Sequence, residues 1–401
     1  MKRLFLILAV AALSLSASAD TYNLTKVWEL SASDLGLVTN ECRQGFGMNG
    51  KFYINNKIAD GVQVVYVIDQ NGMTSTSYEG GLNCGITRDE AGNIIVSNAA
   101  FPTSMWMEAT IKVINPASGD VVEYTVPQEC GLLGRCDFIG FAKGNMLEDG
   151  QMYLTGGNTG TDPFTDGVAI FTVTDGEVDI DNCYLASVDA VIYTQTSTVI
   201  NYYQDINGDD AMIHAYRSGA PSKLTWDGDN FTKASIALPA YNDIKKGACN
   251  GIFPIVWDGK ELFIYPLEPN YRDGWAIAED GAVAPIAAFE ATVAANPNSI
   301  QANWLNAEVN ADGSMTIYQY VPGLCLRVFS LTKEGAQPQG LRGDVNGDSS
   351  IDPADISALI DYLLNGNEVN EENSDCDLNG SIDPADISAL IDYLLNEIWP
   401  E

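Results

Sequence analysis

Histidine is almost absent from this sequence, with His214 the only one among 401 residues. Metal sites built on several imidazoles, including the HExxH arrangement, are therefore excluded. A Ser-His-Asp triad would have to use His214. That residue lies in a strand-like pattern near Tyr202 and Tyr203, where a structural or ring-stacking role is the simpler interpretation.

Basic residues are also scarce, since 20 lysines and arginines stand against 54 aspartates and glutamates, for a formal net charge of −34. Binding to nucleic acid is disfavoured, because phosphates are held by lysine and arginine. The same imbalance favours cations or basic partners and promotes solubility.

Long apolar runs are missing after the N-terminus, so no span of a bilayer is expected. Residues 4–15 are almost wholly apolar, follow Lys2 and Arg3, and precede Ala17-Ser18-Ala19. This pattern predicts a signal peptide over residues 1–19 that is cleaved near Ala19. We expect the mature protein to be secreted, periplasmic or on the cell surface.

Eight cysteines are present, and an exported protein can form disulfides. Cys130 and Cys136 are close enough in sequence to be considered as a pair. Buried free thiols are the equal alternative, because sequence does not determine pairing.

The C-terminal region contains one unit written twice, since residues 350–365 (SIDPADISALIDYLLN) recur letter for letter as residues 381–396. Each copy follows an acidic stretch, so the unit is an acidic loop that leads into a helix. Pro353 and Pro384 suit the first helical position. Apolar residues then recur at helical spacing. In the first copy they are Ile356, Leu359, Ile360, Leu363 and Leu364.

Both acidic loops place oxygen-bearing residues at positions 1, 3, 5, 7, 9 and 12, the pattern of an EF-hand-like calcium site. Calcium prefers six to eight oxygen ligands at about 2.3–2.6 Å. The sequence therefore predicts two calcium ions. The predicted ligands, with each serine contributing its carbonyl, are Asp344, Asn346, Asp348, Ser350, Asp352 and Asp355, and then Asp375, Asp377, Asn379, Ser381, Asp383 and Asp386.

Two loop-helix units without the leading helix of an EF-hand resemble a type I dockerin, over residues 343–396 of a domain at 343–401. The resemblance implies calcium-dependent docking to a cohesin-like protein, in the context of extracellular polysaccharide breakdown. It places the partner contacts at Pro353, Ala354, Pro384 and Ala385, with either helix able to face the partner. Ser349 departs from the family pattern, because glycine usually stands there. The alternative is a calcium-dependent staple that packs on its own chain.

Residues 20–335 are rich in short strands and turn pairs, which predicts a mainly β fold. Two hairpins recur every fifty-odd residues, and six such repeats predict a six-bladed β-propeller. Residues 24–30 are an additional strand that is expected to complete the last blade, and residues 336–342 are the expected linker. A seven-bladed ring and a two-sheet sandwich are the alternatives. The inner turns lie at residues 49–50, 91–92, 149–150, 207–208, 258–259 and 312–313.

The loops that enter the innermost strands of such a ring surround one mouth of its channel. Their arginines and asparagines could hold a carboxylated or hydroxylated ligand such as a glycan, and the tryptophan could stack on a sugar ring. The alternative is that asparagine and cysteine cap strands and fill the channel. We expect a ligand- or protein-binding module, with a glycoside hydrolase, lyase or lactonase-like hydrolase as the alternative. The sequence selects no catalytic residue, and its ligand-binding candidates are Arg43, Asn83, Arg135, Asn250, Asn303 and Trp304.

Overall fold

Six antiparallel sheets form a six-bladed β-propeller, which confirms the predicted mainly β fold. Residues 1–19, the predicted signal peptide, and residues 336–341 of the predicted linker 336–342 lie outside the described residues. The computed structural model describes residues 21–37, 41–56, 64–79, 85–98, 109–131, 136–155, 167–189, 198–215, 221–239, 251–267, 273–293, 302–333, 342–348, 350–367, 369–377, 379–396 and 399.

Each blade runs outward from an innermost strand along the channel. Blade 1 contains β2 (Gly45–Met48), β3 (Lys51–Asn56), β4 (Val64–Asp69) and β5 (Gly72–Glu79). Blade 2 contains β6 (Ile86–Arg88), β7 (Ile94–Ser97), β8 (Ala109–Ile114) and β9 (Val121–Val126). Blade 3 contains β10 (Lys143–Gly144), β11 (Gly150–Leu154), β12 (Gly167–Thr174), β13 (Glu177–Val178) and β14 (Tyr184–Ser187).

The second half of the ring repeats this arrangement. Blade 4 contains β15 (Val199–Gln204), β16 (Asp210–Ala215), β17 (Ser222–Trp226) and β18 (Phe231–Ser235). Blade 5 contains β19 (Phe253–Trp257), β20 (Lys260–Pro266), β21 (Trp275–Ala278) and β22 (Ala287–Phe289). Blade 6 contains β23 (Trp304–Val309), β24 (Met315–Val321), β25 (Cys325–Lys333) and β1 (Tyr22–Ser31). Short 3₁₀ helices occur at Gln128–Cys130 and Ile180–Asn182.

The predicted turn pairs at residues 49–50 and 258–259 form the two-residue turns of the hairpins β2–β3 and β19–β20. Asn49 and Gly50 have φ of 51° and 72°, and Asp258 and Gly259 have φ of 51° and 67°. Two successive positive φ values are what a two-residue hairpin turn matched to strand twist requires. Asparagine, aspartate and glycine tolerate this conformation best, which explains why these pairs mark the hairpins.

Ring closure is achieved by the N-terminal strand, as predicted. β1 pairs with β25 from Tyr22 opposite Lys333 to Ser31 opposite Cys325. The closing strand therefore belongs to a blade whose other three strands come more than 270 residues later in the chain. Pairing of this kind covers an edge that would otherwise be open to other chains.

The core of the propeller lies between the faces of adjacent blades. Trp275 of blade 5 packs edge-on against Phe329 of blade 6, with ring centroids 5.0 Å apart. Phe52 of blade 1 meets Tyr318 of blade 6 in the same manner at 5.6 Å. Aromatic burial of this kind supplies much of the apolar contact that holds blades together.

The C-terminal region is helical, with α1 at Pro353–Asn365, α2 at Glu371–Ser374 and α3 at Pro384–Asn396. Asp352 caps α1 and Asp355 completes a capping box, while Gly366 ends the helix in the left-handed region at φ 71°. Within the described residues no helix combines the length and apolar character needed to cross a membrane.

Candidate functional site

The first acidic loop is folded by its own carboxylates and amides. The Asp348 backbone N–H donates to Asp344 Oδ1 at 3.0 Å and to Asn346 Oδ1 at 2.9 Å. The Ser350 N–H donates in turn to Asp348 Oδ1 at 2.9 Å. These bonds wrap the chain so that alternate side chains converge, although Ser349 itself lies outside the described residues.

Asp355, at the start of α1, ties both ends of this loop together. Its Oδ1 accepts from Asn346 N at 3.1 Å and its Oδ2 accepts from Asp352 N at 2.9 Å. Asp355 is completely buried. A buried carboxylate needs charge compensation as well as hydrogen bonds, because burial disfavours the ionised form.

The second loop repeats these bonds at equivalent positions. Asn379 N donates to Asp375 Oδ1 at 3.1 Å and to Asp377 Oδ1 at 3.0 Å. Asp386, which is also fully buried, accepts from Asp377 N at 3.0 Å and from Asp383 N at 2.7 Å. The Ser381 N–H donates to Asn379 Oδ1 at 2.8 Å. Gly380 has a φ of 88°, so glycine here meets a left-handed turn.

The side chains of the second loop fit a divalent cation. Carboxylate oxygens of Asp375, Asp377 and Asp386 all lie within 4.8 Å of one another. Three like charges this close repel unless a cation stands among them. A set of hard oxygen donors in a flexible loop is the environment that calcium prefers. The first loop has the same bonds with Asn346 in place of the second of these carboxylates.

A small apolar core holds the two loop-helix units together. Val345, Leu359, Cys376 and Leu390 are completely buried within it. The two ends of this C-terminal unit also meet at Trp399, which stacks on Tyr393 with ring centroids 4.2 Å apart. The Arg342 guanidinium lies 4.4 Å from the same indole, and its Nε donates to the Cys376 carbonyl at 2.9 Å.

Both long helices leave matching apolar residues at the surface. Ile360 and Leu364 of α1 are 38% and 76% exposed, and Ile391 and Leu395 of α3 are 38% and 75% exposed. The buried face is therefore narrower than the apolar stripe in the sequence. The predicted partner contacts Pro353, Ala354, Pro384 and Ala385 are also exposed, in the first turns of the same helices.

At the predicted mouth of the propeller, the described candidates contact one another and their neighbours. Arg43 pairs with Asp137 at 3.3 Å and lies over the Phe138 ring. Trp304 is 6% exposed, donates its indole N–H to the Arg43 carbonyl at 2.8 Å and packs edge-on against Phe138. Asn303 is buried and accepts from Gln319 Nε2 at 2.9 Å. Ligand binding here stays a prediction, and Asn83, Arg135 and Asn250 lie outside the described residues.

Amide side chains join the innermost strands around the channel. Gln44 Nε2 donates to the Ile139 carbonyl at 2.8 Å, and Asn201 Nδ2 donates to the Ile252 carbonyl at 2.7 Å. Asn306 accepts from Gly47 N at 2.8 Å and donates to Gly47 O at 2.7 Å. The remaining space is about 30 Å³, enough for little more than ordered water.

The opposite mouth opens into a cavity of about 690 Å³ where the innermost strands end. Arg88, Phe141 and Phe253 line both this cavity and the narrow channel, so they form its floor. Glu308 lies beside Arg88, with a closest nitrogen–oxygen distance of 3.5 Å. Sequence reasoning missed this mouth. The only available signal was the polar residues that follow the innermost strands.

Cysteines in the described part of the chain lie buried at positions 42, 130, 136, 183, 325 and 376, and Cys130, Cys183, Cys325 and Cys376 are free thiols. Cys130 and Cys136 are thus not paired with each other. The Cys130 thiol donates to the Ile170 carbonyl and the Cys136 thiol to the Phe138 carbonyl, each at 3.1 Å. Burial raises the pKa of Cys136 to about 12, which keeps it protonated near neutral pH. His214 lies buried on β16 opposite Ile200.

Comparison with known families identifies the C-terminal unit. The family described as the Dockerin type I domain matches residues 342–395. This match confirms the resemblance that the duplicated loops indicated, and dockerin domains generally bind calcium. None of the curated proteins compared with the chain matches it.

Solved structures similar to the chain are distant in sequence. A protein of unknown function from Dyadobacter fermentans is 9% identical, with a TM-score of 0.47 over 78% of this chain and 99% of that one. The allergen Mala s 1 of Malassezia sympodialis is 9% identical, with a TM-score of 0.47 over 76% of this chain and 96% of that one. AofleA from Arthrobotrys oligospora is 10% identical, with a TM-score of 0.44 over 79% of this chain and 87% of that one.

Proposed function

We propose that the C-terminal unit binds two calcium ions and docks the protein to a cohesin-like partner outside the cell, in a setting of polysaccharide breakdown. The propeller is the ligand- or protein-binding part that is delivered to the assembly. The observation that carries this proposal is the repetition of the same carboxylate-to-backbone bonds in both loops, beside the Dockerin type I match over residues 342–395.

Calcium would supply the positive charge that offsets the converging carboxylates of each loop. The chain itself supplies little of that charge, since residues 343–401 contain 15 acidic residues and no lysine or arginine. Asp355 and Asp386 hold each loop against the start of its helix through both carboxylate oxygens. Removing the cation should therefore loosen the loops and the helix ends together.

The docking surface is expected on the exposed helix faces. Ile360 and Leu364 on α1 have exact counterparts in Ile391 and Leu395 on α3, with nearly equal exposure. Because residues four apart are neighbours on a helix, each helix carries an exposed isoleucine-leucine pair that a partner could cover. Because Asp361 and Asp392 lie on the same helices, the complementary surface should combine apolar and basic groups.

The test is capture of partners from the secreted fraction of the source organism by the immobilised full-length chain. The calcium concentration should be about 5 mM, because loops of this kind can bind calcium with a dissociation constant as weak as ~10⁻³ M. Captured proteins are identified by mass spectrometry, and we expect one with a cohesin module that is released by a chelator.

Helix-face variants make this test specific. The pairs Ile360→Asp with Leu364→Asp and Ile391→Asp with Leu395→Asp each alter one helix. Val122→Asp on β9 is a control, because Val122 is 37% exposed, close to the 38% of the two isoleucines. We expect each pair to retain capture through the other helix and the combination of both pairs to lose it. Capture that survives the combination, or that a chelator does not affect, would contradict the proposal.

A further inference from the structure

Arg88 occupies an unusual position in the propeller. It is the last residue of β6 and lines both the narrow channel and the 690 Å³ cavity. Its side chain is only 15% exposed, although a guanidinium has five N–H donors to satisfy. A cation in such a position needs several partners.

The partners of this guanidinium in the described part of the chain are few. Its nearest carboxylate oxygen is Glu308 Oε1 at 3.5 Å, which is beyond ordinary hydrogen-bond distance. The guanidinium carbon lies 4.6 Å from the centre of the Phe141 ring. Among the residues that the structure describes, the buried Nε has no hydrogen-bond partner. Burial lowers the pKa of Arg88 and the Glu308 carboxylate acts against this, but arginine stays charged at neutral pH.

Within the described residues, the hydrogen bonds to Glu308 reach one of its oxygens, while the other faces Arg88. Its Oε2 accepts from Asn49 N at 2.9 Å and from the Tyr318 hydroxyl at 3.0 Å. Its Oε1 faces Arg88 across the 3.5 Å gap. A group placed beside that gap must accept from the guanidinium and donate to the carboxylate. An alcohol hydroxyl does both, whereas an ionised carboxylate or phosphate can only accept.

The charge around the cavity also favours a neutral ligand. Its lining includes the acids Glu90, Asp205 and Glu308 against Arg88 as its cation. Lys223 pairs with Asp205 at 2.9 Å, which compensates one of these acids. Like charges near an incoming anion would weaken its binding. The net charge of the whole chain acts in the same direction.

The walls of the cavity supply the apolar contacts that the face of a sugar ring requires. Phe141 and Phe253 form the floor, and Ile255, Val256 and Val309 line one side. Val309 is 49% exposed at the rim. A volume of about 690 Å³ lies within the range of roughly 300–1,000 Å³ that is usual for small-molecule sites.

We propose that this mouth binds a neutral sugar, with one ring hydroxyl accepting from the Arg88 guanidinium and donating to Glu308 Oε1. The proposal rests on the role of the propeller as a binding module, but it does not depend on cohesin docking. The site lies at the end of the channel opposite to the mouth predicted from the sequence.

The test is saturation-transfer NMR on the full-length protein with neutral sugars (glucose, galactose, mannose, xylose, arabinose and cellobiose), beside glucuronate and galacturonate. The variants are Arg88→Met and Glu308→Gln, and Lys112→Met is a control because its ion pair with Glu123 lies away from the cavity. Thermal melts establish that each variant is folded. If Arg88→Met does not fold, Glu308→Gln decides the question.

We expect at least one neutral sugar to receive saturation, and its affinity to fall about tenfold or more in each cavity variant, as is usual when a hydrogen bond to a charged group is lost. The control should bind like the unmodified protein. Binding that both cavity variants retain would place the sugar elsewhere on the propeller and overturn this site alone. No transfer to any sugar, or a preference for the uronates, would overturn the proposal while leaving calcium binding and docking untouched.

Discussion

Arg327 on β25 connects the closing blade both to blade 5 and to its own N-terminal strand. One terminal nitrogen lies 2.7 Å from Asp273 Oδ2 of blade 5, and the other lies 2.9 Å from Glu29 Oε1 on the N-terminal strand β1. Arg327 is 3% exposed and Asp273 is completely buried. Replacing Arg327 with methionine keeps an apolar side chain of similar length but removes the charge.

The cost of this replacement falls mainly on Asp273. The carboxylate would keep its bonds from Thr292 N at 2.8 Å and Val293 N at 3.1 Å, but it would lose its counter-charge. Breaking a buried ion pair by removing one partner costs about 3–5 kcal/mol. Glu29 is one-third exposed, so its lost contact adds at most about 1 kcal/mol. We expect Arg327→Met to reduce the free energy of unfolding by about 3–5 kcal/mol at pH 7.

The loss should depend on pH in a defined direction. Burial by itself raises the pKa of Asp273, but the Thr292 hydroxyl and the Arg327 guanidinium outweigh it, so the pKa lies below its ordinary value of 3.8. A depressed folded-state pKa gives stability that is present above the ordinary value and lost as pH falls through the folded pKa. Without Arg327 the effect of burial dominates and the pKa of Asp273 rises. As pH falls, Asp273 therefore becomes protonated at a higher pH in the variant than in the unmodified protein, which removes its uncompensated charge. The difference from the unmodified protein should shrink as pH falls toward 4.5.

Urea unfolding followed by tryptophan fluorescence measures this difference, at pH 7 and pH 4.5 and constant calcium. Lys26→Met is the matched control, because Lys26 pairs with the same Glu29 but is 44% exposed. The control should lose less than about 1 kcal/mol. A loss below about 1 kcal/mol in Arg327→Met, or a loss that is the same at both pH values, would refute this account of ring closure.

Two further changes test the packing of each domain. Asn306→Leu leaves Gly47 N and Gly47 O without their amide partner, and we expect urea unfolding to show a loss of about 2–6 kcal/mol at roughly 1–3 kcal/mol for each of the two groups. An unchanged midpoint would contradict the role of this amide. Trp399→Ala removes the stacking on Tyr393 and the contact with Arg342. Scanning calorimetry should show the C-terminal unit destabilised by about 1–2 kcal/mol and the unfolding transition of the propeller unchanged. If the transition of the C-terminal unit is unchanged, these contacts contribute nothing to its stability.

Local features of the fold could be predicted because local chemistry determines them. Asn49-Gly50 marks a hairpin because both residues accept positive φ. Residues 350–365 and 381–396 form equal helices because their sequences are identical. The N-terminal strand could be assigned to blade 6 by counting, since that blade lacked a strand and the segment lacked a sheet.

The floor of the open mouth could not be predicted, because Arg88 and Glu308 are 220 residues apart and no periodicity relates them. Turn spacing shows how many blades there are, but it does not indicate which end of the channel is wide enough for a ligand. The helical pattern also overestimates the buried face. Leu359 and Leu364 both fall on the same apolar stripe of the helical pattern, yet Leu364 is 76% exposed while Leu359 is fully buried. Spacing alone does not distinguish a core residue from one that awaits a partner.

Calcium titration calorimetry on the full-length protein is the measurement that tests the central claim most directly. We expect two binding events, with Asp344→Ala and Asp375→Ala each removing one and leaving the other. The combined variant should bind no calcium at concentrations that saturate the unmodified protein. If the unmodified protein binds no calcium, or if neither substitution changes the number of ions, the two loops are not the paired metal sites on which the docking proposal depends.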